Sequence, residues 1–404
     1  MFTEKAYLPA VFCRPLPVPR FRHERIHMYK NTALENYIEK LLEESTIERP
    51  VWNMESAKGT LKPGWNYIDG IMIKALLNYG RISGNTRSTE FAKSFIDSRV
   101  AADGTIEGYH RDKYNLDDIN AGKTLFTLLS LTKDEKYRLA LENVYRQVQE
   151  QPRTFEGNFW HKKIYPDQVW LDGFYMVMPF YMQYETAFNN RENYPDIFRQ
   201  FKNVGKRMKN SETGLYYHGY DASKSIFWCD PETGLSANYW TRSIGWFLMA
   251  LLDTVEQCDK TGFEKEYAML CRMFRNLADA MLGYRSVNNF WYQVPDKGEI
   301  EPNYEETSGT AIMAYSLLKG ARLGILPKKY AKTGREVFES ICKRYIDADG
   351  NMTLGGICLV AGLGPDSNRR RDGSFGYYMS EPVVENDAKG VGPFLLAYTE
   401  MLQT

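Results

Sequence analysis

Asp172 stands between a polar, aromatic loop and an apolar helical run in the segment YPDQVWLDGFYMVMPFY, residues 165–181. Tyr165 and Trp170 precede it, and a carboxyl group among aromatic rings is partly desolvated, which suits a general acid. An Asp just before a helix is also a good N-cap, and Asp69 precedes a glycine in the same way earlier in the chain. The pattern therefore predicts either a reactive carboxylate or a capping residue at position 172.

A second pair of carboxylates, Asp117 and Asp118, opens another apolar segment in the sequence YNLDDINAGK. Neighbouring helical hairpins would place this pair near Asp172. Most glycoside hydrolases use two carboxylates on opposite sides of a sugar-binding cleft. Alternatively, one of the two caps a helix and the other is solvated. We expect Asp118 to be the residue without a catalytic role.

Basic and aromatic side chains accompany these carboxylates. His161 and Lys162, in FWHKKIYP, are donors that could hold a carboxylate or hydroxyl groups, although a lone basic loop is more often solvated. His218 lies in a long segment before a later apolar run. Arg242, with Trp240 beside it in NYWTRSIGW, opens a predicted helix. Because a cation there is unfavourable to the helix dipole, we expect an anionic partner for Arg242.

The composition argues against several other classes of protein. Lys plus Arg and Asp plus Glu number 51 each, so the bulk charge does not favour nucleic acid or an anionic membrane. Aromatic residues make up 14%, and such rings either fill a large core or stack on sugars. The six cysteines are scattered without a CxxC pair, and no metal and no cofactor are expected.

The same features give an expectation about compartment and partners. Scattered cysteines indicate reduced thiols in a cytoplasmic protein. The N-terminal sequence lacks the apolar core of a signal peptide, and no apolar run approaches the roughly 20 residues of a membrane span. We therefore expect a monomer or dimer that acts on a small molecule, without nucleic acid or membrane.

Helical segments of two kinds alternate after residue 30, and each kind occurs six times. Segments with one polar face are 32–46, 87–100, 134–149, 194–209, 262–281 and 329–344. Segments that are apolar nearly all round, each with a glycine in the preceding polar turn or near its start, are 68–79, 118–132, 171–184, 241–255, 308–320 and 388–401. An all-apolar helix must be buried, whereas a helix with a polar face can line the outside.

Six such hairpins close most simply into an all-α (α/α)6 barrel, whereas an open solenoid would show more even repeats and a capping repeat. Most links from an outer to an inner helix are long, so the long loops share one pole with the N-termini of the inner helices. Such loops carry sites and such N-termini favour anions, which predicts a cleft for a negatively charged ligand. Residues 1–30 are predicted to form an irregular arm, and residues 31–404 a single barrel domain.

Six segments, in chain order, resemble glycoside hydrolase family 105, the unsaturated rhamnogalacturonyl hydrolases. They are LDDINAGK, HKKIYPDQVWLDGFYM, YYHGYD, YWTRSIGW, EETSGTAIMAY and ENDAKGVGPFLLA. The fold of that family is an (α/α)6 barrel. The resemblance implies removal of a 4,5-unsaturated uronic acid from the non-reducing end of pectin-lyase products, by hydration of the enol-ether double bond.

The resemblance also implies roles for individual residues. Asp172 would protonate C4 as general acid and help to activate the water that adds at C5, while Asp117 would orient water or bind sugar hydroxyls. Six residues match substrate-binding positions of the family: His218, Trp240, Arg242 and, more weakly, His161, Lys162 and Trp170. Ile244 stands where a small or polar residue is expected, which leaves the aglycone preference open.

Three other functions stay open at this point. An unsaturated glucuronyl hydrolase would act on fragments of other polysaccharides. Sugar 2-epimerases share the barrel, but their acid–base chemistry depends on histidines. A non-catalytic carbohydrate-binding barrel would bind without turnover.

Overall fold

A computed structural model describes residues 29–60 and 62–403 of the chain. Within this part, outer and inner helices alternate as the periodicity predicts. The outer helices are α1 (Thr32–Glu44), α4 (Thr86–Asp97), α6 (Glu135–Glu150), α8 (Tyr194–Arg207), α10 (Glu264–Leu282) and α12 (Lys329–Tyr345). The inner helices are α3 (Tyr67–Ser83), α5 (Lys123–Thr132), α7 (Leu171–Ala187), α9 (Thr241–Gln257), α11 (Thr307–Arg322) and α14 (Ala388–Met401). Two short helices, α2 (Met54–Ala57) and α13 (Phe375–Ser380), lie in the loops.

The inner helices form a closed ring. A 3₁₀ helix, Leu116–Gly122, leads into α5 and packs between α3 and α7. From there α7 packs on α9, α9 on α11, α11 on α14, and α14 returns to α3. Outer helices α4, α6, α8, α10 and α12 each pack on the inner helix that precedes them in the chain. The contact between the last and the first inner helix closes the ring, so the (α/α)6 barrel prediction is confirmed.

The two kinds of helix differ in burial as their sequences predict. In α9, every residue from position 241 to 255 is buried. In α12, the buried residues recur at i, i+3, i+4, i+7 and i+8, which is one stripe of an amphipathic helix; they are Gly334, Val337, Phe338, Ile341 and Cys342. The all-apolar helices therefore occupy the inside of the barrel, and the striped helices cover them.

Glycines near the start of the inner helices permit close helix packing. A Cβ atom at Gly70 would lie 2.9 Å from the backbone nitrogen of Ala121 on the neighbouring element. At Gly309 it would lie 2.4 Å from Cγ2 of Thr241 on α9. Both distances are shorter than van der Waals contact, so the repeated glycine is required by the approach of adjacent inner helices.

Short antiparallel strand pairs, which the all-α prediction does not include, brace the long loops. The pairs are β1 (Gln168–Trp170) with β2 (Gly219–Asp221), β3 (Trp291–Tyr292) with β4 (Glu305–Glu306), and β5 (Ile357–Cys358) with β6 (Val383–Val384). Strand β1 ends directly before α7, and β4 ends directly before α11. The strand pairs therefore fix the loops at the pole where the inner helices begin.

Most of the predicted N-terminal arm, residues 1–30, lies outside the described residues. Among the helices of the described part, none is long and apolar enough to cross a membrane. The cysteines in that part are free thiols: Cys229, Cys258, Cys271, Cys342 and Cys358.

Candidate active site

A cavity of about 240 Å³ opens at the pole where the inner helices begin. Its wall combines carboxylates, cations and aromatic rings from several loops and helix N-termini. The predicted site residues in the wall are Asp117, His161, Lys162, Trp170, Asp172, Trp240 and Arg242. The structure thus brings together seven of the eight residues predicted from the sequence, and the exception is His218.

Asp172 lies in the first turn of α7, and its side chain is 13% exposed. The N-cap of this helix is Trp170, whose extended backbone continues strand β1. No side chain makes a capping hydrogen bond at this helix end within the described residues. The capping alternative for Asp172 is therefore wrong, and the carboxylate faces the cavity.

A histidine and a tyrosine lie behind Asp172. The Nδ1 atom of His218 is 2.6 Å from the hydroxyl oxygen of Tyr378, and its Nε2 atom is 3.2 Å from Oδ2 of Asp172. Neither Nε2 nor Oδ2 makes a regular hydrogen bond within the described residues. His218 is fully buried and does not line the cavity, so in place of the expected contact with substrate it contacts the carboxylate of Asp172.

The tautomer of His218 follows from its tyrosine partner. Burial raises the pKa of Tyr378 well above its usual value, so the phenol keeps its proton. We assign Tyr378 as the donor to Nδ1, which places the ring proton on Nε2, facing Asp172. His218 is thus a positioning residue for the Asp172 carboxyl group.

Asp117 forms an ion pair inside the cavity. The Nζ atom of Lys162 is 2.6 Å from Oδ2 of Asp117, and Nε2 of His161 is 3.6 Å from Oδ1. Burial raises the pKa of Asp117, but the neighbouring Lys162 and His161 outweigh burial and hold it below its usual range. Burial also opposes the charge of Lys162, yet Asp117 raises its pKa. Both groups are therefore charged near neutral pH.

His161 contributes an aromatic ring without a charge. Burial lowers the pKa of His161 to about 4, so the imidazole is neutral near pH 7. The imidazole stacks on Trp170 with ring centres 4.3 Å apart, and Tyr165 stacks on Trp170 at 4.7 Å. These stacked rings form one aromatic wall of the cavity.

Asp118, for which no catalytic role is expected, also lines the cavity. Neither carboxylate of the pair caps the 3₁₀ helix, because the side chain of Asn115 accepts the backbone N–H of Asp117 at 3.1 Å. Burial and then the charge of Asp117 raise the pKa of Asp118 to about 7. The adjacent carboxylates therefore differ in charge at neutral pH, as in sites where two acids have separate roles.

Arg242 is held by groups inside the protein. Its Nη1 atom donates to Oγ of Ser308 at 3.2 Å and to the carbonyl of Cys358. The same atom lies 4.0 Å from Oε1 of Glu306. The protein itself therefore supplies one anionic partner for Arg242. The guanidinium also lies over the ring of Trp240, 4.6 Å from its centre. Within the described residues these bonds use Nη1 only, which leaves Nη2 and Nε for a ligand.

Arg371 is a cavity residue that the sequence analysis does not identify. Its side chain makes no hydrogen bond or ion pair with the rest of the described chain, and it adds a third cation to the wall. The local sequence NRRRDGS holds consecutive arginines, so residue type could not single out position 371. Ile244 is fully buried and does not line the cavity.

Residues 37–404 match the family model described as Glycosyl Hydrolase Family 88. In addition, the structure of a family 105 glycoside hydrolase from C. acetobutylicum ATCC 824 is 40% identical, with a TM-score of 0.82, over 91% of this chain and 100% of that one. The chain belongs to the glycoside hydrolase family 88/105 group. The resemblance to family 105 is thereby confirmed.

Two other comparisons show how far this likeness extends. Protein Atu3128 from Agrobacterium fabrum (strain C58 / ATCC 33970) is 37% identical over 233 residues, which are 56% of this chain and 98% of that protein. An unsaturated glucuronyl hydrolase specific for heparin has a TM-score of 0.64 over 91% of this chain and 98% of that one. Its identity of 14% restricts that likeness to the fold.

Possible metal ligands do not cluster in this glycoside hydrolase: no group of three or more occurs in residues 29–60 and 62–403. The expectation of no metal applies to the whole chain, but its premise overlooks the sequence HERIH at residues 23–27. Its two histidines have the i, i+4 spacing of an HExxH zinc site, and they lie outside the described residues.

The His218→Phe variant of this glycoside hydrolase is expected to lose activity through kcat. Because His218 contacts Asp172 and not the cavity, its removal disturbs the acid while substrate binding is kept. We expect kcat to fall about 10- to 100-fold, with KM within about threefold of the parent. Steady-state kinetics measure both constants, and a raised KM at constant kcat would show direct contact with substrate instead.

The raised pKa of Asp118 predicts a pH-dependent stability. Unfolding returns this carboxyl to its usual pKa, so the proton is bound more tightly in the folded protein. The associated stability is present below about pH 4 and is lost as pH rises to about 7, by up to about 4 kcal/mol. The non-titrating variant Asp118→Asn should therefore gain stability relative to the parent between pH 5 and pH 8. Chemical denaturation at pH 5 and at pH 8 measures the free energy of unfolding of both proteins. A difference between variant and parent that is the same at the two pH values would contradict the prediction.

Proposed function

We propose that this glycoside hydrolase removes a 4,5-unsaturated uronic acid from the non-reducing end of lyase products. The preferred substrate is the unsaturated galacturonyl–rhamnose unit of rhamnogalacturonan. The observation that carries the proposal is the shared cavity of Asp172 and Asp117 with Lys162, Arg242 and Arg371. An acid next to several cations suits a sugar that carries its own carboxylate.

The proposed reaction adds water across the double bond. Protonated Asp172 gives its proton to C4, and the electron pair of the C4–C5 π bond forms the new C–H bond. Positive charge develops at C5, shared with the ring oxygen, and water adds there while its proton returns to Asp172. The resulting hemiketal opens by breaking the bond between C5 and the ring oxygen, which gives a ketone at C5 and a hemiacetal at C1. The hemiacetal collapses to an aldehyde and releases the rest of the oligosaccharide as an alcohol. Asp117, which is ionised, is placed to orient water or to accept a sugar hydroxyl.

The cavity wall supplies the binding contacts for such a sugar. Planar guanidinium groups bind carboxylates through two parallel hydrogen bonds, which suits Arg242 and Arg371. The rings of Trp170 and Trp240 offer faces for the apolar side of a pyranose. The N-termini of the inner helices add partial positive charge at the same pole.

A histidine-based epimerase fits this geometry less well. His161 is kept neutral by burial, with a pKa of about 4, and is packed against Trp170. His218 lies behind Asp172 and does not face the cavity. The cavity wall instead presents the carboxyl groups of Asp117, Asp118 and Asp172.

The experiment that tests the proposal follows the near-ultraviolet absorbance of the C4–C5 double bond in a panel of unsaturated disaccharides. Elimination removes the centre that distinguishes galacturonate from glucuronate, so the panel varies the anomeric configuration and the aglycone. We expect kcat/KM to be at least about tenfold higher with a rhamnose aglycone than with a hexosamine aglycone. The reverse order would contradict the rhamnogalacturonan assignment, and unchanged absorbance with every substrate would contradict the hydrolase itself.

A further inference from the structure

A second cavity, of about 310 Å³, opens at the opposite pole, where the inner helices end. All six inner helices contribute to its wall. The carbonyl ends of helices carry partial negative charge, so cations are favourable there. The wall nevertheless contains carboxylates as well as basic side chains. Comparing the two sets shows which charges pair with one another inside the protein and which have no ion-pair partner.

Six charged residues of this wall form a balanced chain of ion pairs. In order, they are Lys74, Asp253, Lys319, Glu256, Arg322 and Glu400. Asp253 receives Lys74 at 2.5 Å and Lys319 at 2.7 Å through its two oxygens. At the other end, Nε of Arg322 is 2.6 Å from Glu400. Three cations and three carboxylates thus neutralise one another and join α3, α9, α11 and α14.

Two further cations, Lys123 and Arg81, remain in the wall without a carboxylate in ion-pair contact among the described residues. Lys123 is 6% exposed, and its Nζ atom donates to the carbonyl of Tyr175 at 2.8 Å. The same atom lies 3.4 Å from the centre of the Tyr175 ring. An ammonium group has three donors, and the hydrogen bond to Tyr175 uses one of them. Burial and then the charge of Lys74 lower the pKa of Lys123, and the opposing charge of Asp253 does not outweigh them.

Arg81 is exposed at the edge of this cavity and makes no hydrogen bond or ion pair with the described part of the chain. The wall therefore holds five basic side chains and three carboxylates. The six residues of the ion-pair chain join the inner helices to one another. Lys123 is not part of that chain, and a buried basic side chain without an ion-pair partner is unfavourable unless a ligand supplies the opposite charge.

We propose that the second cavity is a binding site for a small oxyanion, a phosphate or a carboxylate group, held by Lys123, Lys74 and Arg81. Such a group supplies the acceptors that Lys123 lacks and the negative charge that the wall lacks. The cavity is large enough for a sugar-sized molecule that carries this group. The site shares no wall residue with the first cavity, and the inference does not depend on the function proposed there.

Calorimetric titration of the full chain tests the site, with inorganic phosphate and D-galacturonate as separate probes. We expect one phosphate to bind per chain at the second cavity. The dissociation constant should rise at least about tenfold in Lys123→Met and about fivefold in Arg81→Gln. Arg81→Gln keeps the test decisive if Lys123→Met fails to fold, because Arg81 is exposed and unpaired.

Two variants serve as controls for this titration. Arg272→Gln removes an exposed arginine of the outer helix α10, and Lys162→Met removes a lysine of the first cavity. Both should bind phosphate as the parent does. Tighter binding of phosphate or of galacturonate identifies the source of the oxyanion, and either supports the site provided that Lys123→Met or Arg81→Gln weakens it and Lys162→Met does not. Absence of binding, equal weakening by Lys162→Met, or no weakening by Arg81→Gln and Lys123→Met would overturn the proposal.

Discussion

Asp172→Asn is expected to lower kcat about 10³-fold on an unsaturated disaccharide while the fold is retained. An amide cannot deliver the proton that starts the addition, and removal of a general acid costs about 10²- to 10⁴-fold. Asn has nearly the same shape, and Asp172 makes no capping hydrogen bond within the described residues. The melting temperature should therefore change little. Absorbance kinetics and thermal unfolding of the same preparation measure the two effects.

Asp69→Asn is the matched control, because Asp69 lies in the first turn of α3 and is fully buried. Its Oδ2 atom accepts hydrogen bonds from Asn53 at 3.0 Å, from the backbone of Gly64 at 3.0 Å and from Asn66 at 2.8 Å. An amide nitrogen there leaves donors unpaired, so stability should fall by about 1–3 kcal/mol while kcat per folded molecule is kept. Retained activity in Asp172→Asn would refute the assignment of the acid.

Lys162→Met is expected to move the acid limb of the pH–rate profile upward by about 1–3 units. Lys162 lies 2.6 Å from Asp117 and holds its pKa below the usual range. Without that charge burial dominates, so Asp117 takes up a proton at higher pH and activity is lost earlier on acidification. The loss of a cation from the cavity should also lower kcat/KM about 10²-fold near pH 7. Profiles of kcat/KM from pH 4 to pH 8 measure both effects.

The neighbouring lysine supplies the control for this experiment. Lys163 is exposed, and its Nζ atom donates to the carbonyl of Asp112 at 3.2 Å, away from Asp117. Lys163→Met should therefore keep the parent profile. In an Asp117→Asn background, the additional change Lys162→Met should no longer move the acid limb. An acid limb that shifts equally in both lysine variants would contradict the ion-pair account.

The barrel could be predicted because burial and periodicity are local properties of the sequence. The nearly continuous apolar sequence of α9 indicates an inner helix, and the single apolar stripe of α12 indicates an outer helix. Element ends are less well determined. The predicted helix 118–132 begins as a 3₁₀ helix, Leu116–Gly122, whose first turn is capped by Asn115. Hydrogen-bonding side chains at a helix start decide such boundaries, and apolar periodicity does not reveal them.

Cavity residues could be predicted where a reactive side-chain type stands at the predicted start of an inner helix, as at Asp172 and Asp117. They could not be predicted where a distant loop decides which side chain faces the cavity. Tyr378, which orients His218, lies 160 residues further along the chain. Arg371 lies in the loop between β5 and α13, just before the helix that carries Tyr378. The cavity position of Asp118 follows from the 3₁₀ turn that holds it beside Asp117, and residue type alone does not give that geometry.

The most direct test of the central claim, that the reaction begins with proton delivery to C4 and not with displacement at C1, is a pair of secondary kinetic isotope effects. Deuterium is placed at C4 or at C1 of the unsaturated residue, and the effect on kcat/KM is measured by competition. A carbon that changes from trigonal to tetrahedral in the transition state gives an inverse effect. The account predicts an inverse effect at C4 and none at C1. A normal effect at C1 with none at C4 would show displacement at the glycosidic carbon and would contradict it.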